Sequence, residues 1–165
     1  MNPTPHDPQP AAHETWVAVA DLHGHLAQLD ALLAHLDATL GADYRLCTLG
    51  DYVDNGPAIP ALLDRLIALR AARGARFVPI VGNHDLALLR ALGWPGNTPE
   101  PQWWSRWSTR YWDPGFGTPA AYGAKTLDQF VRKFPAAHAD FLRALPWSHD
   151  RSEERRVGKE CRSRW

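Results

Sequence analysis

Asp21 and His23 stand two residues apart where an apolar run ends. Residues i and i+2 of an extended chain project to the same side, so both side chains can reach one ion. A carboxylate beside an imidazole suits Mn, Fe or Zn better than Ca or Mg. A second polar turn, Gly50-Asp51-Tyr52-Val53-Asp54-Asn55-Gly56-Pro57, places Asp51 directly after another apolar run. There Asp51 can bridge two cations, or an Asp can cap the following helix with Pro57 in its first turn. The third turn, Gly82-Asn83-His84-Asp85, is open to the same two readings. Asn83 and Asp85 suit a helix start, whereas a His at a strand end can protonate a leaving oxygen.

These turns have to be carried by regular elements, and the hydrophobic pattern supplies them. Trp16 to Ala20 reads as a strand covered on both faces, and Leu26, Leu29, Leu32, Leu33, Leu36 and Leu40 recur at helical spacing. Leu46 to Leu49 is the second strand. Its helix carries Ile59, Leu62, Leu63, Leu66 and Ile67 and stops near Gly74. Phe77 to Val81 is the third strand, awkward for a central position because of Pro79, with a helix from Leu86 to Leu92 after it. The β-α-β-α-β order predicts a parallel sheet with right-handed crossovers. All three turns then lie at the carboxyl edge of the sheet, where α/β sheets bind ligands, and can converge on one crevice.

Residues 1–15 read as a disordered leader, and 16–150 as the domain that carries the three turns. Residues 94–123 form an insert rich in Pro, Trp and Tyr, which either caps the crevice and stacks a nucleobase or, as favoured here, covers the sheet. A helix is expected from Thr126, with Gln129 completing a capping box, and another from about Pro135 to Leu145.

The composition, 45% hydrophobic and 22% charged, is that of a soluble domain, and zero net charge argues for neither nucleic acid nor membrane as a partner. Cys47 and Cys161 make no disulfide framework, which with the absence of a signal peptide points to the cytoplasm.

Together, Asp21-Leu22-His23-Gly24, Gly50-Asp51-Tyr52-Val53-Asp54 with Gly56, and Gly82-Asn83-His84-Asp85 resemble the ordered signature of calcineurin-like metallophosphoesterases. The nearest branch is the bacterial serine/threonine protein phosphatase-like one, which also holds diadenosine tetraphosphatase-like enzymes. The resemblance spans about residues 16–147. It implies the N-terminal part of an α/β fold, a metallophosphoesterase-type β-sandwich flanked by helices, truncated here. It also implies that Asp21 and His23 bind one metal, Asp51 bridges two, and the Asn83 oxygen binds the second. His84 would be the general acid, oriented by Asp54. Two divalent ions, Mn or else Fe or Zn, would clamp a phosphoryl group and activate a water. The expected reaction is phosphomonoester hydrolysis on a phosphorylated protein, with nucleotide hydrolysis as the alternative.

Asn55 departs from the pattern, because protein phosphatases of this type usually carry a phosphate-gripping Arg there, and Asn has neither its charge nor its bidentate fork. The substrate is therefore the open question. The three later histidine ligands of the family have no counterpart after Asp85: His138 falls in a helical stretch, and His149 has no strand behind it. His25, Trp16, Trp147 and Cys47 read as structural. Arg151 to Trp165 shows no helical or strand period and resembles one reading frame of a widely used sequencing adapter. It is expected to be a non-native tail, and this chain an inactive fragment that binds metal weakly. A Rossmann-type nucleotide module fits less well, since no Gly-rich phosphate loop follows the first strand.

Overall fold

The computed structural model describes residues 14–94, 104–105, 117–151 and 154–157. Most of the aromatic insert, the leader and the last residues lie outside them. Three parallel strands, β1 (Trp16–Val19), β2 (Arg45–Thr48) and β3 (Phe77–Pro79), form one sheet in the order β1-β2-β3. Register pairs Val17 with Leu46 and Leu46 with Phe77. The helices α1 (Leu26–Leu40) and α2 (Ile59–Arg73) make the two crossovers, and α3 (Asn83–Ala91) follows β3. After the insert come α4 (Thr118–Ala121), α5 (Leu127–Lys133) and α6 (Ala136–Arg143). The described sheet and helices are thus the mixed α/β arrangement that the sequence predicts.

The leucine pattern explains how α1 and α2 pack. Leu29 and Leu33 of α1 are buried, and Ile59, Leu62, Leu63 and Leu66 of α2 are wholly so, against the central strand residue Leu46. α2 is the hub, touching α1, β3, α4 and α6. The end of α2 at Gly74, whose φ is +53°, follows from glycine's freedom in that region. Thr126 caps α5 by accepting the Gln129 amide, and the Gln129 side chain accepts the Lys125 amide in return.

Four expectations need correction. β1 is not covered on both faces: it is an edge strand, Ala18 is exposed, and Val17 and Val19 are half-buried. β3 is the opposite edge, which explains Pro79. Ile80 donates to the Thr48 carbonyl, so the neighbouring Pro79 nitrogen, with no hydrogen to give, faces away from β2. α3 starts at Asn83, not Leu86, which puts the third motif inside the first turn of the helix. The segment after Trp147 is not without strand structure: β4 (Ser148–Arg151), which includes His149, pairs antiparallel with β5 (Glu154–Val157). Backbone pairing in a hairpin needs no apolar period, so the charged sequence concealed it.

What joins the three strand-end turns is backbone approach. A Cβ on Gly56 would lie 1.6 Å from the His23 carbonyl oxygen, and one on Gly82 would lie 2.1 Å from the Asp51 nitrogen. Neither neighbour is a flexible side chain that could yield. Gly56→Ala is expected to cost at least about 3 kcal/mol, beyond ordinary overpacking. Gly41→Ala, which meets nothing within 4 Å and strains only its φ of +73°, should cost about 1 kcal/mol. Urea unfolding of the two variants checks this, and equal losses would show that the turns are not interlocked.

Candidate metal centre

Asp85 apart, which accepts the Gly82 amide at the start of α3, the side chains of the three turns do not serve as helix caps. The residues preceding α1, α2 and α3 are His25, Ala58 and Gly82, and none makes a side-chain capping bond. Pro60, not Pro57, sits in the first turn of α2. The capping readings of Asp51, Asp54 and Asn83 are therefore excluded, because α2 starts after Ala58 and Asn83 is already helical.

Strain concentrates here as well. Among the described residues, the non-glycine positions with positive φ are His23 (37°), Asp51 (52°), Asp54 (61°) and Asn55 (57°). Each costs energy that the surroundings have to offset, and such outliers cluster at functional sites. Backbone bonds hold them. The Leu22 and His23 amides both donate to the Asp51 carbonyl, at 3.1 and 2.7 Å, and the Gly24 amide donates to the Tyr52 carbonyl at 3.0 Å. The His84 amide donates to Asp51 Oδ1 at 2.8 Å. Asp85, wholly buried, accepts the Tyr52 amide on Oδ1 and the Gly82 amide on Oδ2, each at 2.9 Å. Asp51 and Asp85 therefore tie the second and third turns together.

His23 Nδ1 lies 2.8 Å from the Val53 carbonyl oxygen. A carbonyl only accepts, so Nδ1 carries the proton and Nε2 keeps its lone pair, the arrangement in which a histidine binds a metal. His84 Nδ1 donates to Asp54 Oδ2 at 2.9 Å. The two imidazoles meet edge to face, with centroids 4.9 Å apart. His23, Asp51 and His84 each bring one possible ligand atom to within 4.8 Å of the others. Asp21 is more exposed, with Oδ2 4.0 Å from His23 Nε2, and Asn83 opens α3 beside His84. An open cleft of about 410 Å³, lined by Val19, Asp21, Leu22, His23 and neighbours on α1, adjoins the cluster.

The donor set fits a divalent ion. Asp51, Asp54 and Asp85 are all buried in one small region, and crowded carboxylates repel unless cations neutralise them. The effect is visible at Asp85: burial above all, and then the Asp51 charge, overcome its amide bonds and raise its pKa from 3.8 to about 7. His84 is also raised: burial lowers it, but the hydrogen bond and charge of Asp54, with Asp51 and Asp85, outweigh that.

Other histidines take structural places. His25 Nδ1 bonds the His23 carbonyl at 2.7 Å. His138, buried on α6, joins Asp64 to the Tyr122 hydroxyl. His149 on β4 lies ring to ring with Trp16, centroids 4.9 Å apart. Asn55 is exposed. Two residues escaped the sequence reading. Asp85 was taken only for a favourable first-turn charge, and Thr118, 64 positions beyond Asp54, bonds that carboxylate. No local pattern marks Thr118, because Gly117-Thr118-Pro119 reads as an ordinary helix start. Of the insert's tryptophans, Trp104 packs on Phe130 and Trp94 stacks near Trp147, whereas Trp103, Trp107 and Trp112 lie outside the described residues.

Comparison with known proteins agrees with the geometry. The calcineurin-like phosphoesterase family model matches residues 15–158. A symmetrical bis(5′-nucleosyl)-tetraphosphatase of Bordetella pertussis is 40% identical over 73 residues, 44% of this chain and 25% of that protein. The Paraburkholderia phymatum protein of the same name is 42% identical over 73 residues, 44% of this chain and 24% of its own. The matched stretch is thus about a quarter of those relatives' length. A metallophosphoesterase from Sphaerobacter thermophilus shares the fold, with a TM-score of 0.50 and 21% identity over 84% of this chain and 44% of its own. No described helix is long and apolar enough to cross a membrane.

The raised Asp85 pKa has a definite sign. Between pH 3.8 and about 7 the unfolded chain loses this proton while the folded one keeps it. That contribution to stability is full below pH 3.8 and declines until the folded group also ionises. In the presence of chelator, wild-type stability should fall with rising pH across this window relative to Asp85→Asn. Urea unfolding at a series of pH values reads the difference, and parallel curves would refute the assignment.

Proposed function

The chain belongs to the calcineurin-like phosphoesterase family, and from that premise we propose that its strand-end cluster is part of a two-metal site hydrolysing nucleoside polyphosphates. The observation that carries this reading is the approach of His23, Asp51 and His84 to within 4.8 Å, each from a different turn. Asp21 and His23 are proposed to hold one ion, Asp51 to lie between two, and the Asn83 oxygen to hold the second. Bound ions, with Mn the proposed metal, would supply Lewis acidity and an acidified water. The protein's own part is positioning and proton transfer. Asp51 is fixed by the His84 amide, and His23 by the Val53 carbonyl. His84, its Nδ1 proton held by Asp54, is left with Nε2 to protonate the leaving oxygen.

The substrate proposal follows the relatives more than the first expectation. Symmetrical tetraphosphatases are the curated relatives at about 40% identity, which favours a nucleotide over a phosphoprotein. Asn55 supports the same choice. With no guanidinium to offer, and with an Asn-tolerant φ of +57°, it fits a turn-forming role better than a phosphate grip. This chain, whose matched stretch is a quarter of such a relative's length, is proposed to bind metal weakly and to turn over negligibly by itself.

The test uses the protein made from its complete genomic reading frame, with Mn²⁺ and diadenosine tetraphosphate. The expected product is ADP alone, and ATP with AMP would rule out symmetrical cleavage. Faster release of phosphate from a phosphoserine peptide would sink the nucleotide reading. His84→Ala should lower kcat by about 10² to 10⁴. Unchanged turnover would remove its role. For the chain as it stands, elemental analysis should find well below two bound ions, and full stoichiometry would contradict weak binding.

A further inference from the structure

We propose that Thr118 is a positioning residue that locks the Asp54 carboxylate and through it fixes the proton-donating imidazole of His84. This deepens the reading of the site given above and rests on it for the role of His84. Asp54 is wholly buried and sits at the strained φ of +61°. Its Oδ2 accepts the His84 Nδ1 proton at 2.9 Å. Its other oxygen, Oδ1, accepts the Thr118 hydroxyl at 2.5 Å and the Thr118 amide at 3.3 Å. The Asp54 amide in turn donates to Thr118 Oγ1 at 2.9 Å. The threonine therefore grips the aspartate at both backbone and side chain, in a closed loop from amide to hydroxyl to carboxylate.

That geometry does more than fasten a loop. A carboxylate bonded on one oxygen only can rotate about its Cβ–Cγ bond and carry its acceptor oxygens off the line of the imidazole N–H, which loosens its hold on the Nδ1–H tautomer. Bonds to both oxygens, in a site without solvent, leave one orientation. With Oδ2 fixed as acceptor, the neutral His84 ring is held in the tautomer with hydrogen on Nδ1. Nε2 is then the nitrogen that accepts and delivers the mobile proton. Thr118 is itself buried and comes from α4, so the segment after the insert reaches back to the second turn through this contact. A purely structural clip would serve as well with any bond between the two segments, whereas a positioning residue requires the hydroxyl on Oδ1.

Thr118→Val keeps the shape and removes the hydroxyl, and Thr118→Ser keeps the hydroxyl and removes a methyl. The first measurement uses the chain as it stands, labelled with ¹⁵N-histidine and held without metal at a pH where the ¹⁵N shifts show the His84 ring to be neutral. Wild type and Thr118→Ser should show the single Nδ1–H tautomer of His84, and Thr118→Val a mixture of both tautomers. An unchanged His84 ring in folded Thr118→Val overturns the proposal, whether or not any form hydrolyses substrate. If Thr118→Val does not fold, Thr118→Ser decides: altered His84 signals in that hydroxyl-bearing variant overturn it. The second measurement uses the complete protein with Mn²⁺. Thr118→Val should lower kcat by about 10- to 100-fold with KM little changed, as for other residues that orient a reacting group. The loss should be greater for an alkyl phosphate than for p-nitrophenyl phosphate, whose leaving group needs no proton. Equal losses on both substrates overturn the proposal. A changed tautomer without hydrolysis by any form would leave the positioning role standing and sink the hydrolase reading instead.

Discussion

The site depends on the peptide of Asp51. Its carbonyl accepts the Leu22 and His23 amides, its nitrogen lies where Gly82 leaves room for nothing larger than hydrogen, and its side chain accepts the His84 amide. One residue thereby meets the turns that follow all three strands. Sheet pairing alone would align the strands but not the turns, since parallel register ends at Thr48 and Pro79. Beyond that edge the glycines let backbone touch backbone, and the amides that a turn would otherwise present to water are bonded across turns. The positive φ values of His23, Asp51 and Asp54 are the counterpart of this arrangement. Local preference opposes them, and the cross-turn bonds overcome it.

The elements were legible where periodicity and burial coincide. α1 and α2 were found from their leucines and isoleucines, because each lays one apolar face on the sheet or its neighbours. The parallel order followed from short turns and crossover helices. Strand position was not legible. The apolar run Trp16 to Ala20 looks like a doubly covered strand, yet β1 has one partner among the described residues and its Ala18 is exposed. The start of α3 was missed for a related reason. In Gly82-Asn83-His84-Asp85 a helix start was one of two open readings and the apolar spacing begins only at Leu86, but Asp85 bonds back to the Gly82 amide and closes a helical turn from Asn83. At the site itself the three side chains that the fold brings together, His23, Asp51 and His84, were legible from residue type and place at strand ends. Their supports were not, because a bond such as that between Thr118 and Asp54 joins positions with no shared period.

Three buried carboxyls within a few ångströms would repel if treated alike, and the fold treats each differently. Asp54 is bonded on one side by imidazole and on the other by hydroxyl and amide. Asp85 faces backbone amides, in a place dry enough to raise its pKa to about 7. Asp51 stands beside His23 and His84, where a cation would be neutralised best and would in turn relieve the charge that Asp51 imposes on Asp85. A cation held at Asp51 would thus be coupled to the ionisation of Asp85, which bonds the Tyr52 and Gly82 amides.

Asn55 shows how backbone and chemistry compete for one position. Its φ of +57° is a conformation that Asn adopts more readily than longer side chains do. An Arg there would meet both that strain and the need to order a long side chain, costs offset only if a phosphate repeatedly engages it. The exposed amide of Asn55 lets the turn close at lower cost and itself supplies no fixed positive charge. For the proposed nucleotide substrate, the cluster of His23, Asp51 and His84 would carry much of the recognition, and the nucleotide's several phosphates and its bases would offer more to hold than a single phosphate on a flexible peptide.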